Sequence, residues 1–161
     1  MEQFKFRKAE KADIEQLVNM RIEYLKEDIG ETAIVDEVQL RKNLQIFFEE
    51  HLNNDIDAFV AVCGNEIVST SFTSYYFRLP HPDFPKGKAG VPINGFTKPN
   101  YRENGLAGSL LKLSADYAKS MGVELLNMEV TKKGFPVCKE IGFRETKYTP
   151  VQMILKREEI L

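Results

Sequence analysis

Thr97-Lys98-Pro99-Asn100-Tyr101-Arg102-Glu103-Asn104-Gly105-Leu106-Ala107-Gly108-Ser109-Leu110-Leu111 reads as a strand end, a glycine-bearing turn and the opening of a helix. The first amides of a helix lack intrahelical acceptors and point outward. With the positive end of the helix dipole they make an anion site. Glycine and alanine at the opening let a phosphate approach the backbone closely, and Arg102 brings a cation to the turn. The same pattern also serves as a plain helix cap, and on these residues alone that reading stands beside phosphate binding. Two other phosphate loops are excluded: GxGxxG is absent, and no Gly-Lys-Ser/Thr follows.

Outward from this stretch, the chain alternates helical and strand patterns. Residues 3–7 place Phe4 and Phe6 on one face of a short strand. Asp13, with Gln16 three residues on, predicts a capping box opening a helix. Ile14, Leu17, Val18, Ile22 and Leu25 form its apolar stripe, and Gly30 breaks it. A second helix is predicted over 38–52, from Leu40, Leu44, Phe47 and Phe48. Residues 58–63 and 67–77 read as strands joined by a tight Gly64-Asn65 turn. Residues 78–89, with Pro80, Pro82, Pro85 and Gly87, read as a loop. A strand follows over 91–97, where Pro92 is tolerable only near the start, at an edge or at a bulge.

After the turn come a helix over 105–121 ended by Gly122, a strand over 124–130, and a short helix opened by Pro136 and closed by Gly142. Two last strands are expected at 143–148 and 151–155. The expected architecture is α/β: a mixed, mostly antiparallel central sheet flanked by helices, in the order βααβββαβαββ, as one domain over 1–161.

Composition narrows the function classes. A chain of 161 residues can bury a core without metals or disulfides. A net charge of −2 gives no basic field for nucleic acid. Cys63 and Cys138 lie in no CxxC or Cys/His cluster, so no metal site is expected. The N-terminal residues lack the apolar stretch of a signal peptide, and no run approaches the roughly 20 apolar residues of a membrane span. A cytoplasmic protein is expected.

The run Arg102-x-x-Gly105-x-Ala107 resembles the Arg/Gln-x-x-Gly-x-Gly/Ala signature of the GCN5-related N-acetyltransferases (GNAT). Pro99-Asn100-Tyr101-Arg102 is similar to that family's Pro-Glu-Tyr-Arg, and Leu110-Leu111 to the leucine pair that follows. Gly134-Phe135-Pro136-Val137-Cys138-Lys139-Glu140-Ile141-Gly142-Phe143 resembles its closing segment, which ends in Leu-Gly-Phe. The order of elements agrees along nearly the whole chain.

The resemblance implies an acetyl-CoA-dependent N-acetyltransferase acting on a primary amine of a small molecule or peptide. The cofactor pyrophosphate would sit on the amides of Glu103, Asn104, Gly105, Leu106, Ala107 and Gly108, beside Arg102. The pantetheine arm would pair through Phe96 and Thr97, and Thr131 holds a position where many relatives contact the cofactor. A homodimer is implied as well, since the last strands often serve dimerisation in the family.

Amine acetylation requires a deprotonated acceptor, a donor for the thioester oxygen, and a proton for the departing thiolate. The resemblance assigns the oxygen to a strand amide at Phe96. It assigns the leaving-group proton to a tyrosine in the closing segment, where this chain has Cys138. A thiol, with a reference pKa of about 8.5 against about 10 for tyrosine, can serve there. The other reading is a small buried hydrophobe, with water or Tyr148 as donor. No base is evident: Asn94 stands where some relatives carry a carboxylate, and Glu23, Glu27, Asp28 and His81 are the alternatives for a relay. Arg21 lies on the apolar side of the first helix, facing an acceptor cleft or running its stem along the stripe's edge. Tyr75, Tyr76, Phe77 and Phe84 either line an acceptor pocket or anchor the loop. Two further readings remain: a CoA-binding module with little activity, and an unrelated phosphate-ligand protein.

Overall fold

The computed structural model describes residues 3–155; the side chain of Asn94 also lies outside the described set. The elements are β1 (Phe4–Lys8), α1 (Ile14–Ile29), α2 (Glu37–His51), β2 (Ile56–Cys63), β3 (Glu66–Phe77), β4 (Lys88–Thr97), α3 (Leu106–Ser120), β5 (Leu125–Leu126) and α4 (Phe135–Ile141). The sheet runs β1-β2-β3-β4-β5. Its first three pairings are antiparallel, and β4 with β5 is parallel. A parallel neighbour needs a crossover, and α3 supplies it.

The sheet is covered on both faces. Leu17, Val18 and Ile22 of α1 and Phe48 of α2 pack on Ala58, Val60, Phe72 and Phe96. Leu106 and Leu110 of α3 pack on Phe59, Ala61 and Val68 on the other face. The nearly continuous apolar run of β2 follows from this double burial. Each fully buried Leu17, Met20, Ile22 or Leu110 contributes roughly 1.5–3 kcal/mol of transfer free energy.

The start of α1 differs from the expected capping box. Asp13 accepts from the Glu10 amide at 2.8 Å and from Arg7 at 2.7 and 2.9 Å, pinning β1 to the helix start. Gln16 reaches instead to the β2–β3 turn, accepting from the Ile67 amide at 2.8 Å and donating to the Asn65 carbonyl at 3.1 Å. A sequence motif cannot distinguish a cap from a tertiary contact of the same side chain.

Three further differences lie in β4, in β5 and in the residues C-terminal to α4. β4 begins at Lys88, inside the expected loop, and its first residues pair with Ala89↔Leu125 and Gly90↔Leu126. The strand expected over 124–130 is only the two residues of β5. Residues 143–148 and 151–155 form no strand. Their alternation is strand-like, but a strand is completed by a ladder partner, and Val151, Met153, Ile154 and Leu155 stay exposed. The order is as expected through α4 and stops there. Among the described residues, no helix is long and apolar enough to cross a membrane.

Candidate active site

The turn before α3 is built to present amides. Pro99–Tyr101 forms a single 3-10 turn, Glu103 adopts φ 66°, and Gly105 at φ 70° is the N-cap of α3. The Asn104 side-chain amide donates to the carbonyls of Tyr101 at 3.0 Å and Arg102 at 3.2 Å, folding those acceptors inward. The first intrahelical bond is Ser109 N–H to the Gly105 carbonyl. That leaves the N–H groups of Leu106, Ala107 and Gly108, and no side chain caps them. A left-handed N-cap is costly for any residue but glycine, which explains why this position reads Gly105. Arg102 is engaged elsewhere: it donates to Glu27 of α1 at 2.7 Å and to the Thr97 carbonyl at 2.9 Å. Its role in this structure is to tie the turn to α1.

The register of β4 decides which backbone groups are available beside this turn. Arg78 N–H bonds the Gly87 carbonyl at one end of the β3–β4 ladder, and Lys98 N–H bonds the Val68 carbonyl at the other. Antiparallel bonding alternates, so even-numbered β3 residues direct their bonds toward β4. Ile93 pairs with Phe72 and Phe96 with Thr70, leaving Asn94 and Gly95 together opposite Ser71. This is a β-bulge of one extra residue. Phe96 therefore directs its amide at Thr70, and the amide of Thr97 faces the other way. Without the bulge, simple alternation would turn the Phe96 amide away from β3.

On that other side, β4 and β5 separate. The last bond between them runs from Asn127 N–H to the Gly90 carbonyl. The next donor of β4 in this direction would be residue 92, and Pro92 has no N–H. The ladder stops where its donor is missing, and among the described residues β5 pairs with no residue of β4 beyond Gly90.

α4 closes against the start of α3. A Cβ on Gly108 would stand 3.0 Å from Val137 Cγ1, so this glycine permits the helices to touch. Cys138 is 4 % exposed, and its Sγ lies 3.9 Å from the sulfur of Met128. Burial pushes its thiol pKa up. The Thr131 hydroxyl accepts from the Gly134 amide at 3.1 Å, shaping the approach to α4. Tyr148 is exposed at its hydrogen-bonded turn with Thr146.

On the α1–α2 face, an open cavity of about 250 Å³ lies beside the bulge. Phe48, Ile56 and Phe72 are its buried floor, and Phe47 and Ile93 flank it at 40 % and 46 % exposure. Arg21 is the charged residue in its lining, half-buried, with its guanidinium 5.2 Å from the Tyr24 ring centre. Burial draws the Arg21 pKa down, but guanidinium stays charged in proteins.

The other acceptor-side candidates are dispersed. Glu27 is paired with Arg102, and Glu23 lies 3.6 Å from Lys98. His81 accepts from the Asp83 amide and stacks on Phe84 within the hairpin tip. Tyr75 donates to Asp57 at 2.9 Å, and the Tyr76 hydroxyl accepts from Asn127 at 3.3 Å. No residue of 78–89 lines the cavity. The sequence carries signals for the bulge (Asn94-Gly95) and for the end of the β4–β5 ladder (Pro92), but pairing direction gives them meaning.

No family model and no curated protein matches this sequence. Solved structures do. A predicted acetyltransferase from Clostridium acetobutylicum, solved with acetyl-CoA, is 26 % identical with a TM-score of 0.80, over 98 % of this chain and 100 % of its own. A GCN5-related N-acetyltransferase from Ralstonia eutropha is 19 % identical with a TM-score of 0.72, over 94 % and 99 %. The glucosamine-6-phosphate N-acetyltransferase of Arabidopsis thaliana is 17 % identical with a TM-score of 0.70, over 94 % and 99 %. The resemblance carried by residues 97–111 and 134–143 is borne out, and with it the mixed, mostly antiparallel sheet.

Proposed function

We propose that this chain, which has the fold of the GCN5-related N-acetyltransferases, is over residues 1–161 a single domain that transfers acetyl from acetyl-CoA to a primary amine. The observation that carries this reading is the continuity of two unsatisfied backbone surfaces. The edge of β4 that β5 leaves unpaired beyond Gly90 leads through Thr97 to the turn whose amides, at Leu106, Ala107 and Gly108, have no side-chain cap among the described residues. An extended arm with amides followed by a pyrophosphate fits that order of groups: sheet-edge bonds first, then an anion at a helix N-terminus. Glu103, Asn104 and Gly105 shape the turn, and Thr131 precedes α4, its hydroxyl accepting from the Gly134 amide.

Acetyl-CoA supplies a thioester whose carbonyl carbon accepts the amine nitrogen. The C–N bond forms, the C–S bond breaks, and the proton lost by the amine balances the one gained by the CoA sulfur. The chain's part is positional and electrostatic. The Thr97 amide, turned away from β3, stabilises negative charge on an oxygen placed beside it. Phe96 lines the site with its ring under Tyr24. Cys138, buried against Met128, acts as packing in this reading, and water protonates the thiolate. Release of free thiol from acetyl-CoA in the presence of an amine panel tests the proposal. Binding of CoA by calorimetry without thiol release from any amine would favour the second reading, a CoA-binding module. The burial of Cys138 and the ion pairing of Glu27 support that alternative.

A further inference from the structure

We infer that the acceptor is a small amine bearing both a carboxylate and an aromatic or branched apolar group, of the kind found in hydrophobic α-amino acids, seated in the cavity beside the β4 bulge. This inference rests on the acetyl-transfer reading above and names the substrate class of that site.

Three features of the cavity carry it. The first is its lining. Phe47, Phe48, Ile56, Phe72 and Ile93 offer no hydrogen-bond partner from their side chains, so a polyhydroxylated acceptor entering it would lose water without replacement. An apolar group loses nothing by entering. Phe47 and Ile93 remain 40 % and 46 % exposed while the floor is closed, which is the arrangement of a mouth awaiting an apolar occupant. The second is size. A cavity of about 250 Å³ falls just below the roughly 300–1,000 Å³ of pockets for drug-sized ligands, the scale of one small acceptor.

The third is charge. Arg21 brings a planar guanidinium into this apolar lining, held over the Tyr24 ring. Guanidinium matches a carboxylate in two parallel bonds, and low surrounding polarity strengthens that pairing. Location favours the same occupant. Ile93 lines the cavity and directly precedes the bulge, so an amine held there by its carboxylate and apolar group lies beside the same strand that carries Thr97.

The experiment uses the full chain and two readouts. L-phenylalanine, phenethylamine (the same molecule without the carboxylate) and glucosamine 6-phosphate are compared as acceptors by thiol release and as ligands by calorimetry with CoA present. L-phenylalanine should exceed each of the others in kcat/KM by at least about thirtyfold. Arg21→Gln should raise its KM at least about tenfold, leave phenethylamine unchanged and leave CoA affinity unchanged. Phe47→Ser, at an exposed position, should weaken L-phenylalanine in the same direction and serves if Arg21→Gln does not fold. Equal use of phenethylamine, or preference for the amino sugar, overturns the inference and leaves acetyl transfer intact. Arg21-dependent binding of L-phenylalanine without any thiol release supports the inference and counts against the acetyl-transfer reading.

Discussion

Replacing Gly105 separates backbone strain from ligand approach, because the two act on different residues there. The residue sits at φ 70°, and a Cβ built on it meets nothing within 4 Å. A side chain therefore costs conformational energy alone in the free protein. A left-handed conformation costs about 1–2 kcal/mol for an ordinary residue. The reduced freedom of the unfolded chain returns about 0.4–1 kcal/mol. Gly105→Ala should thus destabilise by about 1 kcal/mol, a fall in Tm of roughly 2–4 °C for a chain of this size. Gly105→Asn should cost less, since asparagine tolerates this region. Both leave a folded protein in which the open space above the turn is filled. If a pyrophosphate occupies that space, Gly105→Val should weaken CoA binding at least tenfold, about 1.4 kcal/mol. Gly105→Asn should weaken it comparably while barely moving Tm. Thermal melts and calorimetry on the same preparations give both numbers. Folded Val and Asn variants with CoA affinity within twofold of the parent would refute the placement of the anion at this turn.

Three other perturbations probe α4, its contact with α3, and the ion pair at the start of α1. Cys138→Ala should leave kcat within about threefold and lower stability modestly, because a small side chain is lost from a packed site. Cys138→Tyr should destabilise by about 1–3 kcal/mol through overpacking against Met128; a large kcat loss in Ala rescued by Tyr in single-turnover transfer would instead make the thiol the acid. Gly108→Ala should push α4 from α3, since its Cβ would stand 3.0 Å from Val137 Cγ1, and Val137→Ala should restore the Tm lost. The Arg7 hydrogen bond holds the Asp13 carboxyl below its usual pKa. A depressed folded pKa contributes stability above the unfolded value, near 3.9, and this is lost as pH falls through the folded value. Urea midpoints from about pH 6 down to about pH 2 should therefore fall less steeply in Asp13→Asn than in the parent; parallel curves would show that the ion pair contributes nothing.

Much of the fold is legible in the sequence because local and tertiary signals agree. The stripe of α1 and the Gly64-Asn65 turn each have one interpretation, and the structure uses both. Legibility ends wherever a residue's meaning depends on a partner strand. Along β4 the pair Asn94-Gly95 opposite Ser71 adds a residue that alternation in the sequence cannot reveal, so the direction of each amide beyond it depends on the ladder. The strands expected after α4 have the right alternation and no ladder to join. Arg21 stands out in the sequence for its place in the stripe between Val18 and Ile22. Only the approach of α2 and β4 reveals that it borders a cavity rather than the helix edge alone.

The surplus residue in β4 also divides the labour of inheritance along a single strand. Upstream of it, Ile93 answers to whatever fills the cavity. Downstream, on the proposed acetyl-transfer reading, Thr97 and the turn answer to the donor. A bulge takes up local displacement as bend and twist, so substitutions at positions 47, 72 or 93 can be tried without moving the amides beyond it. A library randomised at Phe47 and Ile93 is, on that account, a search through acceptors at fixed donor affinity.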